Sequence, residues 1–302
     1  MTRSTRTDEW LAEQFEANRK RLRAVAYRML GSLSEADDAV QESWLRLSRA
    51  DDGEIENLSG WLTTVVARVC LNQLRSRAAR REEPLDAHVP DPIVSRPDRI
   101  DPEQQALLAD SVGLALLVVL ETLDPAERLA FVLHDMFDLP FDEIAPLVGR
   151  SSAAARQLAS RARRRVRAAA KVPDADVSRQ RSAVDAFLAA AQNGDFDALL
   201  QVLDPDVVLR ADRGAVPLGA SRVVRGAHAV AKGAIAYTRS LVGVARPAFV
   251  NGAAGIVGFD ARGQPFSVLG MTVTRGRIVE IDILADPARL RQLDLAVLDA
   301  PR

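Results

Sequence analysis

The chain has 302 residues, 27% charged and 48% hydrophobic, with 17 glycines and 15 prolines. That length argues for two or three domains, and those fractions exclude wholesale disorder and a collagen-like repeat. With 40 basic against 41 acidic residues the net charge is −1, so nothing draws the whole molecule to nucleic acid.

The longest uninterrupted apolar run, residues 114–120, is far short of the ~18 residues of a membrane span. The first residues, Met1-Thr2-Arg3-Ser4-Thr5-Arg6, lack the apolar stretch of a secretory signal. A cytoplasmic protein without a membrane partner is expected. Cys70 is the single cysteine, which excludes an intramolecular disulfide and a cysteine-based zinc cluster. His88, His134 and His228 show no metal-ligand spacing. No phosphate loop, dinucleotide fingerprint or nucleophile elbow occurs, so no metal, cofactor or enzymatic activity is expected.

Leu11, Phe15, Leu22, Val25, Ala26 and Met29 recur at helical spacing, and Gly31 is placed to end that helix. Ser34 followed by Asp37 reads as the start of a second helix with Ala36, Val40, Trp44 and Leu47 inward. An acidic loop follows at 51–57. Ser59 can cap a third helix with Leu62, Val65, Val66, Val69 and Leu74 inward and Arg68, Asn72, Arg75 and Arg77 outward. Five prolines between 84 and 102 predict an extended connector. A second helical block runs to about residue 171. Beyond it two helices, near 180–192 and 196–203, precede five short β-branched or alternating runs within 207–284, a pattern of α+β type.

The strongest local signal is Phe141-Asp142-Glu143-Ile144-Ala145-Pro146-Leu147-Val148-Gly149-Arg150-Ser151-Ser152, followed by a helix from Ala153. A short amphipathic helix, a glycine turn and a capped second helix form a helix-turn-helix. Pro146 removes a hydrogen bond from the first of these helices unless that helix begins as late as Asp142. In the second helix Ala155, Leu158, Ala159, Ala162 and Val166 gather on one side. Arg156, Gln157, Ser160, Arg164 and Arg167 gather on the other, in a segment with seven arginines between 150 and 167 and no acid. Arg suits guanine and Gln adenine, and the more distal arginines suit phosphate.

The segments Leu33-Ser34-Glu35-Ala36-Asp37-Asp38-Ala39-Val40-Gln41-Glu42-Ser43-Trp44-Leu45-Arg46, Gly60-Trp61-Leu62 with Ala67-Arg68-Val69-Cys70-Leu71-Asn72-Gln73-Leu74-Arg75-Ser76, and the helix-turn-helix ending Arg161-Ala162-Arg163-Arg164-Arg165-Val166 resemble regions 2 and 4 of bacterial extracytoplasmic-function sigma factors. Residues 180–298 resemble the SnoaL-like, NTF2-type cone appended to a sigma-J-like group of them, through Asn193-Gly194-Asp195-Phe196-Asp197-Ala198-Leu199, Asp204-Pro205-Asp206-Val207 and Val224-Arg225-Gly226. Three further motifs of that group occur in altered form: W-L-P-E-P as His88-Val89-Pro90-Asp91-Pro92, D-G-G-G-[RK] as Asp212-Arg213-Gly214-Ala215-Val216, and N-P-D-K-L as Asp286-Pro287-Ala288-Arg289-Leu290.

The resemblance implies two all-α sigma domains followed by an α+β cone: residues 1–82, a connector 83–102, residues 103–172, a short join 173–179, and the cone at 180–302. It implies a promoter-recognising subunit that binds core RNA polymerase, at the β′ clamp and the β flap, and promoter DNA. Asp37, Asp38, Gln41 and Glu42 match the clamp-docking helix. The loop 51–58 matches the segment that captures a flipped −10 base, beside Arg68, Asn72, Arg75 and Arg77. Arg156, Gln157, Ser160, Arg161, Arg164 and Arg167 match the −35-reading face. The altered motifs nominate Pro90, Asp91, Pro92, Asp212, Asp286, Pro287 and Leu290 as contacts through which the cone acts in cis, in a protein expected to be monomeric when free. Two other readings stay open: a DNA-binding regulator that does not engage core polymerase, and a bifunctional sigma factor whose cone binds or turns over a small ligand, with His228 and Asp282 as acid–base candidates.

Overall fold

The structure, a computed structural model, describes residues 5–49, 57–79, 88–96, 113–169, 171–214, 222–240, 243–295 and 298. The described residues form two compact units, one drawn from Met1–Glu82 and Val119–Ala169, the other from Glu83–Gln104, Ser111–Val118 and Ala170–Arg302.

The first unit is helical. Helices α1 (Thr5–Leu30), α2 (Leu33–Leu47) and α3 (Leu58–Ala79) pack around Leu22, Val25, Met29, Val40, Leu62 and Val66, all fully or almost fully buried. Gly31 ends α1 as the spacing predicts: its φ is 72° and its N–H reaches Tyr27 O at 2.8 Å, a left-handed turn that glycine adopts without strain. The caps differ from the sequence reading by two residues. Ser32, not Ser34, accepts from the Glu35 amide at the start of α2, and Asn57 Oδ1, not Ser59, accepts from Gly60 N–H at 3.0 Å at the start of α3. Each is the polar side chain just outside the first helical residue, where the orphan amides lie within reach.

After α4 (Leu114–Glu121), Asp124 precedes α5 (Pro125–Phe131), whose proline occupies the first position, where it has no hydrogen bond to lose. A π-helical turn, Val132–Met136, follows, and then α6 (Phe141–Val148) and α7 (Ser152–Ala169). Arg28 and Arg128 are both buried. Arg128 donates to Arg28 O at 3.1 Å, and the Arg28 guanidinium lies 5.1 Å from the Phe137 ring, so α1 and α5 share a polar contact inside this unit.

The second unit is α+β. Helices α8 (Val177–Asn193) and α9 (Phe196–Val202) are capped by Asp176 and Asp195. They cover one face of a seven-stranded sheet together with α10 (Ala227–Ser240). The strands are β1 (Val94–Ser95), β2 (Leu203–Asp212), β3 (Arg222–Arg225), β4 (Gly243–Val250), β5 (Ala253–Asp260), β6 (Pro265–Thr274) and β7 (Arg277–Leu284), in the order β1-β4-β5-β6-β7-β2-β3. Only β2 and β7 pair in parallel. A four-residue helix, α11 (Pro287–Leu290), follows β7. Strand period 2 sends Leu209, Ile256, Leu269 and Ile281 to the helix-covered face and Arg210, Asp212, Gly270 and Asp282 to the opposite one.

β1 lies within the proline-rich connector, which the sequence reading leaves without secondary structure. Val94 pairs with Val250, the Ile93 amide donates to Asn251 Oδ1 at 3.0 Å, and the Asn251 amide returns a bond to Ile93 O at 2.8 Å. Connector residues thus extend the edge of the cone's sheet.

Candidate nucleic-acid interface

Pro140 stands before α6, so Pro146 lies inside the helix rather than in its first turn. The amide that would have reached back one turn is absent, yet Ile144, Ala145, Leu147 and Val148 are still buried. Packing of that apolar face outweighs one missing bond. Gly149 closes the helix at φ 67°, with its amide on Ala145 O, and Ser151 Oγ accepts from the Ala154 amide at 3.3 Å to open α7. Ser152 Oγ donates to Asp142 Oδ1 at 2.5 Å, which fixes the angle between the two helices at their shared corner.

On α7 the small residues Ala155, Ala159 and Ala162 are fully buried, so its backbone approaches the underlying helices closely. The opposite side leaves Arg156, Gln157, Ser160, Arg164 and Arg167 exposed, as periodicity predicts, and Arg161 is exposed beside them. Arg156 lies 5.3 Å from the Phe141 ring, a stacking that orients it across the turn. Further arginines of the run are tied to acids of the same unit. Arg163 donates to Asp135 at 2.5 Å, and Arg165 reaches buried Glu127 at 3.1 Å. Arg161 stands 3.8 Å from the same carboxylate with about half of its side chain in solvent. Sequence alone does not divide the run this way, because the acids that select Arg163 and Arg165 come from the π turn and α5.

In α3, Arg68, Asn72 and Arg75 are exposed. Arg77 instead is half-buried and paired with Glu35 of α2, which departs from the expectation of four outward DNA contacts. Of the loop matched to −10 recognition, residues 51–56 lie outside the described residues. On α2, Asp38 and Gln41 are exposed; Asp37 bonds Arg23 at 2.6 Å and Glu42 bonds Arg46 at 2.9 Å. Trp44 packs with its ring 5.1 Å from that of Phe15, a core role. Burial pushes the Cys70 thiol up to about 12, which leaves it unreactive at neutral pH.

In the cone the three altered motifs meet. Arg289 donates to Asp91 at 2.5 and 2.8 Å, to Asp212 Oδ2 at 2.8 Å and to Val89 O at 2.6 Å. The Val89 amide and His88 Nδ1 approach the same Asp212 oxygen at 3.1 and 3.2 Å. Burial works against ionisation of Asp212, but His88, the Val89 and Gly214 amides and Arg289 outweigh it and hold the carboxyl at about 2. Asp286 caps α11 through the Ala288 amide, and a Cβ on Gly214, whose φ is 66°, would fall 2.4 Å from its carboxylate. Gly214, the one glycine kept from its motif, therefore permits the close approach. Pro90, Asp91, Pro92 and Leu290 are buried; Pro287 is exposed, and Ala215 and Val216 lie outside the described residues. Sequence reasoning missed Arg289, although it fills the basic position of the N-P-D-K-L motif.

The proposed acid–base pair is not assembled. Asp282 lies on the sheet face away from the helices, bonded to Arg210 at 3.0 Å, and Glu280 bonds the same guanidinium at 3.2 Å. His228 is exposed on α10 against the Phe196 ring.

Comparison with known proteins agrees with this architecture. The family model for Sigma-70 region 2 matches residues 14–80 and that for Sigma-70, region 4 matches residues 113–166. The chain is 39% identical over 284 residues to the probable ECF RNA polymerase sigma factor SigI of Mycobacterium tuberculosis, covering 92% of this chain and 94% of that one. It is 39% identical over 285 residues to the ECF RNA polymerase sigma factor SigJ of the same organism, 91% of each. The crystal structure of M. tuberculosis SigJ matches with a TM-score of 0.75 at 33% identity, over 94% of this chain and 99% of that one. The chain belongs to the ECF RNA polymerase sigma factors. It is an alternative sigma factor with region 2 and region 4 helical domains and an α+β C-terminal domain. Among the described residues no helix is long and apolar enough to cross a membrane.

Proposed function

We propose that this sigma factor docks on the β′ clamp of core RNA polymerase through the α2 face bearing Asp37, Asp38, Gln41 and Glu42, places its region 4 domain at the β flap, and reads a −35 element with α7. The observation that carries the reading is the division of the α7 arginines: Arg163 and Arg165 are held by Asp135 and Glu127, while Arg156, Arg164 and Arg167 reach into solvent. Arg156 and Gln157, in the N-terminal half of α7, address base edges, while Arg164 and Arg167 address phosphate. Arg68, Asn72 and Arg75 of α3 serve the −10 region.

The C-terminal domain, of SnoaL-like type, acts in cis by holding the connector through Arg289, Asp91 and Asp212. A contact stronger in one arrangement of the sigma domains shifts the population toward it. The chain works as a monomer in the cytoplasm and catalyses no covalent reaction. Run-off transcription with purified core polymerase on a promoter library tests this. A shared −35 and −10 pair among the selected promoters is the expected result, and the absence of promoter-directed product with core polymerase present would refute it.

A further inference from the structure

Just before the helix-turn-helix lies a segment with no side chain assigned to DNA. The π-helical turn Val132–Met136 spaces its hydrogen bonds one residue wider than an α-helix does, a distortion that frequently marks functional sites. Here it directs two consecutive side chains to the two helices of the motif. Asp135 accepts from Arg163 of α7 at 2.5 Å. His134 turns toward the start of α6: its Nδ1–H donates to Leu139 O at 2.9 Å, and its imidazole stacks on the Phe141 ring with centroids 3.9 Å apart and planes 31° from parallel.

Leu139 is thereby fixed at both of its backbone polar atoms, since its amide donates to Leu133 O at 2.9 Å. Phe141 leaves this closed loop two residues later, and its ring cannot turn without displacing an imidazole that is itself anchored. The ring is half-buried and still meets the surface, where the Arg156 guanidinium lies over it at 5.3 Å. A column thus runs from the loop backbone through His134 and Phe141 to Arg156. An exposed arginine ordinarily samples many rotamers, and confining it when a partner arrives weakens binding. One that already lies across a fixed ring has lost part of that freedom, and its planar fork has fewer directions open to it. Bidentate contact with a base edge needs such a defined approach.

On the assignment of Arg156 to a base edge, we propose that His134 and Phe141 are positioning residues for −35 recognition: they hold Arg156 at the angle from which it addresses one base pair. Phe141 acts through the face of its ring and His134 by keeping that ring in place. This role is separable from packing. A leucine at 141 fills much of the same space but offers no quadrupole to a cation, whereas a tyrosine offers one.

Holoenzyme assembled from core polymerase and the full-length chain is titrated with fluorescent promoter fragments. These carry either the −35 sequence that the wild-type protein selects or that sequence with one base pair changed at a time, and the ratio of the two affinities measures preference at each position. Phe141→Leu should lower this ratio by roughly two- to fivefold at the base pair that Arg156→Ala relaxes, and leave the other positions as they were. Phe141→Tyr should keep the wild-type ratio, and His134→Leu should lower it at the same base pair. With Arg156→Ala already present, Phe141→Leu should change nothing further. An unaltered ratio in Phe141→Leu or in His134→Leu, an equal loss at every −35 position, or the same loss with tyrosine as with leucine would each overturn the proposal. An unaltered ratio in Arg156→Ala alone would refute the assignment of Arg156 to a base edge, and the proposal would fall with it; a relaxed ratio there with no effect of Phe141→Leu leaves that assignment standing and removes only the column.

Discussion

The recognition helix and the cone use charge in opposite ways. On α7 the arginines assigned to DNA remain in solvent, where keeping them ionised costs little and leaves them available to a partner. In the cone, Arg289 and Arg210 are about four-fifths buried and surrounded by carboxylates that are almost wholly buried. Charge placed that way is a lock: each member is needed to make the others tolerable. A surface that must meet a partner and a contact that must hold a chain in place therefore look alike in composition and differ in burial.

The largest effect is expected from removing the cone's central cation. Arg289→Ala leaves Asp91 and Asp212 buried without their main donor, which should destabilise that domain by on the order of 3 kcal/mol, the low end for breaking a buried pair because Arg289 keeps some contact with water. Chemical denaturation followed by a probe in the cone measures this, and promoter-directed transcription should change with it. A loss under about 0.5 kcal/mol, the range of ordinary surface substitutions, would show that the clasp is not a lock. The pH dependence has a definite sign. Asp212 is held near 2, below the ~4 of an unfolded carboxylate, so its contribution is complete above about pH 4 and disappears as pH falls through 2. Asp282 runs the other way: burial, joined by Glu280 and opposed by Arg210, raises it to about 6, so its contribution is complete below about pH 4 and is lost as pH rises through 6. The Asp212→Asn and Asp282→Asn variants should therefore alter the acid limb of the stability profile with opposite slopes.

A smaller effect is expected on the exposed side. Arg156→Ala should cost roughly 1–3 kcal/mol of binding to the selected −35 sequence and relax preference at one base pair. Arg164→Ala should weaken all sequences alike and reduce the slope of affinity against salt by about one. A salt-dependent titration of both variants separates them, and a reversed pattern would exchange their roles. Asp38→Arg on α2 should leave the melting temperature almost unchanged while lowering affinity for core polymerase; equal affinity would remove α2 from the docking surface.

The helical unit was the more legible of the two, for a physical reason. Its signals are local: Gly31 and Gly149 end helices wherever the rest of the chain lies, and the spacing of Ala155, Ala159 and Ala162 alone fixes which side of α7 is buried. The cap errors at Ser32 and Asn57 are small because several polar residues flank each helix start and only geometry selects among them. In the cone β1 and β3 were not recognised, since strands of two and four residues carry no alternation to read. The motifs at 88–92, 212–216 and 286–290 were nominated from resemblance, but Arg289 as their common partner was invisible, because the contact spans about two hundred residues. Sequence likewise places Asp282 on a strand face without telling which face the helices cover.

The smallest predicted effect lies within the clasp itself. The Ala285 amide donates to the Asp212 carbonyl at 2.7 Å, one residue before the cap that starts α11, and the Asp212 carboxylate accepts from the Val89 amide at 3.1 Å. Asp286→Ala removes the cap and loosens the short helix that carries Arg289, so the Val89 amide should open more often. Hydrogen exchange at Val89 is expected to quicken by a few-fold. The connector amide of Ile93 is the internal reference: its acceptor is Asn251 rather than Asp212, so its exchange should respond less. Equal quickening at both amides would indicate general destabilisation of the domain, and no change at either would show that the clasp holds without its cap.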